Sequence, residues 1–99
     1  MAALVADCDA DIVVGGHTHE PTDRMVGNIR VLNGGSVGLP RRAAGAGWLL
    51  MEADGAGVDV HHRVVAFDVE AVIEDLWGRR HPNASFVESI LRRRHAFAR

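Results

Sequence analysis

Asp11-Ile12-Val13-Val14-Gly15-Gly16-His17-Thr18-His19-Glu20-Pro21 is the stretch whose reading decides the fold. The apolar run Ile12-Val13-Val14 does not alternate, which fits a buried strand running parallel to its neighbours. Gly15 and Gly16 end it where the backbone turns sharply, and His17 and His19 follow as two imidazoles flanking Thr18. In extended backbone, residues i and i+2 share a face and lie about 7 Å apart. That is too wide for easy chelation of one small ion. It suits two ions about 3.5–4 Å apart, each taking one histidine, as in paired-metal hydrolytic sites. The tripeptide by itself also fits a plainer reading, two histidines that cap a strand end.

A second glycine-punctuated strand exit follows downstream, Val31-Leu32-Asn33-Gly34-Gly35-Ser36-Val37-Gly38-Leu39-Pro40-Arg41. Together with Gly16-His17-Thr18-His19-Glu20-Pro21 it resembles the end of a calcineurin-like metallophosphoesterase of the compact bacterial and archaeal phosphodiesterase branch. In that family the last metal motif is Gly-His-x-His, and an Asn-Pro-Gly-Ser loop follows it. Gly34 stands here where the proline is usual. The later hairpin and helices also resemble the family's tail, so the resemblance extends over nearly the whole chain. It implies an α/β (α+β) fold, part of a four-layer αββα sandwich, represented here mainly by one β-sheet with covering helices. It further implies hydrolysis of a small phosphate ester or phosphodiester by water activated between two divalent metal ions. By the same resemblance His17 would bind one ion and His19 the other. Neutral imidazole suits Mn, Fe, Co, Ni and Zn alike. Asn33 and Ser36 would lie on the substrate side of the site, although asparagine and serine often supply turn chemistry unaided.

The family's other motifs, Asp-x-His, Gly-Asp, Gly-Asn-His and an isolated histidine, precede Gly-His-x-His, and none occurs ahead of His17. The resemblance therefore implies that residues 1–99 are the C-terminal part of a single phosphoesterase domain, beginning inside the helix before the last metal strand. The bridging carboxylate and the general acid would lie upstream, so the sequence assigns no catalytic residue within this chain. Two ligands alone would hold two ions weakly, and little hydrolysis is expected from the chain by itself. Pairing with an N-terminal half, or self-association through an unpaired sheet edge, is the partner expectation. The alternative function is a catalytically inactive remnant that acts as a structural or interaction module.

Ninety-nine residues, 47% of them hydrophobic, allow one small domain with a modest core. The net charge of −2 gives no general argument for nucleic acid. All eleven basic residues are arginine, a bias that accompanies abundant Ala, Gly and Val. Arg92-Arg93-Arg94 spans nearly a helical turn, so its charges fan outward as a solvated face near a helix C-terminus. The lone Cys8 fits a reducing cytoplasm and a small packing role. No stretch reads as a signal peptide or a membrane span, so a soluble cytoplasmic protein is expected.

The remaining segments predict a helix end over 2–8 and strands over 11–15, 23–26 and 29–32, the last two joined by Gly27-Asn28. Residues 33–46 read as loop. Strands follow over 47–53 and 58–66, joined by Asp54-Gly55-Ala56-Gly57. Val58, Val60, His62 and Val64 form one face of the second strand. His61 and His62 therefore point apart and make no metal pair. Asp68 is the expected N-cap of a helix with Val69, Val72, Ile73, Leu76 and Trp77 as its apolar positions and Gly78 as its stop. Ser85 and Glu88 suggest a capping box for a last helix that buries Phe86, Val87, Ile90 and Leu91. Asp7, Asp9 and Asp11 read as solvated turn residues at the opposite end of the first strand from His17.

Overall fold

A computed structural model describes residues 9–40 and 45–97. The helix end expected at 2–8, with Asp7 and Cys8, lies outside the described residues. β1 (Ile12–Gly15), β2 (Thr22–Val26) and β3 (Ile29–Asn33) form one sheet in the order β1-β3-β2. β2 and β3 make an antiparallel hairpin with Val26 opposite Ile29. Gly27 and Asn28 connect them, and Gly27, at φ 61°, fills the first turn position, where a type II′ turn needs a positive φ. Arg30 clasps Asp23 diagonally across this pair, with Nε and Nη2 donating to the two carboxylate oxygens at 2.8 and 2.7 Å. That charge-assisted hydrogen bonding holds the Asp23 carboxyl below its ordinary range.

β1 runs parallel to β3, with Ile12 opposite Arg30 and Gly15 opposite Asn33. The parallel direction agrees with the apolar run, but the expected burial does not. Ile12 and Val13 are half-buried and Val14 is 55% exposed. Position explains the difference: among the described residues β1 has one neighbouring strand, whereas the central β3 has two and buries Ile29, Val31, Leu32 and Asn33.

β4 (Gly45–Asp54) and β5 (Gly57–Ala66) form the predicted second hairpin. Asp54 Oδ1 accepts from the N–H groups of Ala56 and Gly57 at 2.8 and 3.1 Å, an Asx turn that fixes the reversal. β4 begins two residues earlier than its apolar pattern suggests. The expectation of mainly one sheet is corrected here, because among the described residues β4 and β5 pair only with each other. The two sheets meet through the loop after β3, where Gly47 N–H donates to the Ser36 carbonyl at 2.8 Å. Alternation along β5 holds at Val58 and Val60 and then lapses, with both Val64 and Val65 exposed.

α1 (Val69–Gly78) starts as predicted, with Asp68 Oδ1 accepting from Ala71 N–H at 3.0 Å. It ends at Gly78 as predicted, and the left-handed residue that closes it lies two positions on, at Arg80 (φ 53°). There Arg80 N–H donates to Trp77 O at 3.0 Å and His81 N–H to Leu76 O at 2.9 Å. These paired bonds are a Schellman motif with arginine where glycine is usual.

α2 (Ala84–Phe97) begins before the proposed capping box. The Asn83 carbonyl takes the first intrahelical bond, from Val87 N–H at 2.9 Å, which leaves Ser85 inside the first turn. Glu88 instead accepts the Trp77 indole N–H at 3.2 Å. Val69, Ile73 and Leu91 form the core between the helices, with Phe67 and Val87 against it. Arg92 pairs with Glu70 across the same contact. Phe86, expected inside, is 60% exposed, and Trp77 is largely exposed too, because the contact uses only the Val87–Leu91 edge of α2. Ile29, Val31, Val13 and Val26 make a separate core in the first sheet. Among the described residues no helix is long and apolar enough to cross a membrane.

Candidate metal centre

β1 ends at Gly15, and His17 and His19 just beyond it leave extended backbone. Gly16 O accepts from Thr18 N–H at 2.8 Å, closing a three-residue turn around His17, whose φ is 71°. A positive φ at the centre of such a turn is the rarer, strained form of γ-turn. His19 follows at φ 60°. Two left-handed residues that are not glycine within three positions store about 1–3 kcal/mol each, and such strain clusters at functional sites. The extended i, i+2 argument therefore does not describe this tripeptide. What brings the two imidazoles to one side is the turn: His17 and His19 line the same cavity.

The turn is held from beneath by Asn33, at the end of β3, whose exposure is only 4%. Its Nδ2 donates to Gly16 O at 3.2 Å and to Thr18 Oγ1 at 3.1 Å, so it grips the residues on both sides of His17. Its Oδ1 accepts from Gly35 N–H at 2.9 Å, which fixes the second glycine loop as well. From the other sheet, His62 Nε2–H donates to the Asn33 carbonyl at 2.9 Å, a bond that needs the ring proton on Nε2. Ser36 Oγ accepts from Leu39 N–H at 2.9 Å, turn chemistry within its own loop. On the far side of the histidine turn, Thr22 Oγ1 donates to Glu20 O at 2.9 Å.

The cavity in front of the turn has a volume of about 670 Å³. Leu39 and Pro40 close one side, and α2 contributes Phe86 and Arg93 on another. The sequence reading missed those two helical residues, taking Phe86 for core and Arg93 for solvated surface. Helical periodicity identifies a face but not what the face meets, so no sequence signal would have placed them here. His61 is exposed and His62 serves the Asn33 carbonyl, so the structure forms no second histidine site on β5. Asp9 and Asp11 are exposed ahead of β1.

The donor set fits metal ligation as far as it goes. Two imidazoles share one cavity wall on a backbone held against relaxation, and imidazole binds first-row divalent ions well. Among the described residues no group of three or more His, Cys, Asp or Glu side chains converges, so the pair stands without a carboxylate to bridge it.

The Calcineurin-like phosphoesterase superfamily domain matches residues 1–56, a stretch that contains both glycine loops and ends in the β4–β5 turn. α1 and α2 lie beyond the match. No curated protein and no solved structure matches the chain. With more than half its length matched and the histidine turn inside that half, the chain belongs to the calcineurin-like phosphoesterase superfamily, hydrolases of phosphate esters that typically bind two metal ions.

Proposed function

We propose that this chain supplies the Gly-His-x-His part of a dinuclear phosphodiesterase site, within the C-terminal portion of a four-layer domain of the compact branch. The observation that carries the reading is the pair of left-handed histidines, His17 and His19, on one cavity wall. His17 would hold one divalent ion and His19 the other, with the remaining ligands on a segment bearing the family's other motifs, in a longer chain or in a partner. Two divalent ions, when bound, would polarise a phosphoryl group and acidify a water between them. The chain's own contribution is orientation. The γ-turn aims His17, and Asn33 keeps residues 16 and 18 fixed so that the two rings cannot drift apart. Asn33 has two readings from the sequence, a substrate-side one implied by the resemblance and plain turn chemistry. Its bonds to Gly16, Thr18 and Gly35 support the turn-chemistry role, through which it would set the floor beneath a bound ester.

A second reading, a non-catalytic structural or interaction module, draws support from the lack of a third converging ligand among the described residues. Calorimetric titration of the chain with Mn²⁺, beside His17→Ala and His19→Ala, separates the two. Metal binding weaker than micromolar, reduced by each substitution, supports the phosphoesterase reading. Binding that both variants leave intact refutes it. Tight binding at two ions per chain would refute the need for further ligands.

A further inference from the structure

We propose that α2 is the substrate-recognition wall of this cavity: Arg93 takes the phosphoryl oxygens of an organic phosphate, and Phe86 stacks on an aromatic ring in its ester group. The inference rests on reading the cavity as a phosphoester site. Three observations lead to it.

The first is register. Phe86, Ser89, Ile90 and Arg93 are spaced i, i+3, i+4 and i+7, so they form one stripe along α2, and all four line the cavity. The stripe is about 10 Å long at the α-helical rise, enough for a phosphate at one end and a ring at the other. The second is the contrast between neighbouring arginines. Arg92 is engaged by Glu70 and Glu88, whereas among the described residues Arg93 has no carboxylate partner. A guanidinium without a carboxylate partner among the described residues, lining the same cavity as two imidazoles, favours an anion there, and its planar fork matches phosphate. The third is Phe86 itself, a large ring left 60% exposed while Val87 and Leu91, on the adjacent edge, make the packing against α1. Phe86 therefore does not serve the helix core, and its ring is available within the wall that carries Arg93. The volume of about 670 Å³ is in the range of small-molecule sites.

The test is a ¹H–¹⁵N titration of the 99-residue chain with methyl phosphate, phenyl phosphate and adenosine monophosphate, each metal-free and with Zn²⁺. Phenyl phosphate carries its ring on the ester oxygen and adenosine monophosphate one sugar away, so the pair distinguishes where the ring sits. One of them is expected to bind about fivefold tighter than methyl phosphate, the scale of one aromatic contact. Phe86→Ala should erase that preference without changing methyl phosphate binding. Arg93→Gln should weaken every ester about tenfold, as expected for loss of a charge-assisted hydrogen bond. Both side chains are exposed, so neither change should unfold the chain, and Phe86→Tyr should retain the preference. The proposal is overturned if neither ring-bearing ester is preferred, if the preference survives Phe86→Ala, if Arg93→Gln changes nothing, or if no ester binds with or without Zn²⁺. These effects intact, beside calorimetric Mn²⁺ binding that His17→Ala and His19→Ala leave unchanged, would sink the metal reading and leave the recognition wall standing. Histidine-dependent metal binding without them would do the reverse.

Discussion

Replacing His17 by glycine should stabilise the chain while removing the proposed metal ligand, a combination that capping histidines would not produce. His17 sits at φ 71°, in a region where a Cβ crowds the backbone at a cost of about 1–2 kcal/mol and glycine does not. Glycine returns part of that through its larger loss of freedom on folding, about 0.5–1 kcal/mol. The imidazole is exposed, so little packing is lost with it. The net expectation is a gain of about 0.5–1 kcal/mol, which in a chain of this size raises the melting temperature by roughly 2–8 °C. His17→Ala is the control, since it removes the same ring but keeps the Cβ. The difference between the two variants isolates the backbone term and should be about 1 kcal/mol. Thermal and urea unfolding by circular dichroism, in chelator, would measure it. A His17→Gly variant less stable than His17→Ala would refute the strain argument. One less stable than the parent would mean that the imidazole supports the turn, as the capping reading requires.

Three further outcomes are expected. Asn33→Ala removes three hydrogen bonds around a buried side chain and should destabilise the chain by about 2–3 kcal/mol, with faster hydrogen exchange at the Thr18 and Gly35 amides. A loss below about 0.5 kcal/mol would show that Asn33 does not hold the turn. Arg80→Gly relieves the left-handed C′ position of α1 and should stabilise by about 0.5–1 kcal/mol, read from the urea midpoint at unchanged slope. The Asp23 carboxyl is held below its ordinary value by Arg30, so its contribution is present above the unfolded-state pKa and is lost as pH falls through the lower folded value. Stability should therefore decline on acidification below pH 3.8, less steeply in Asp23→Asn, and equal acid slopes would refute the link.

The parts of the fold legible in the sequence were those set by local chemistry. Gly27-Asn28 reads as a two-residue reversal because one glycine suffices for type II′, and Asp54 reads as a turn residue because its carboxylate reaches its own backbone. Asp68 is a cap for the same reason. The failures occur where a local rule was met by a different residue. Gly78 is the last helical residue, as composition suggests, but the left-handed position that glycine usually takes falls two residues on and is filled by Arg80. Ser85 and Glu88 have the spacing of a capping box, but Trp77 and Arg92 compete for the Glu88 carboxylate. Burial was the least legible property. Val14 and Phe86 are apolar in apolar patterns, and their exposure depends on which neighbours a strand edge or helix face has.

The candidate site was legible for a different reason. Backbone chemistry alone would place glycine or asparagine at two left-handed positions, yet the chain has His17 and His19 there, directly after Gly15 and Gly16. A histidine in that conformation is tolerated only if its surroundings over-determine the turn, and Asn33 provides this with bonds to both flanking residues. The second sheet adds to it, since His62 binds the carbonyl of the same asparagine. Three separate stretches of sequence thus converge on Asn33, and two of them, the histidine turn and the loop that carries Leu39 and Pro40, line the cavity. A capping role alone would need none of this support, because less strained residues cap strands equally well. The strain, the support beneath it and the Arg93 side chain lining the same cavity are what the proposed anion site would use.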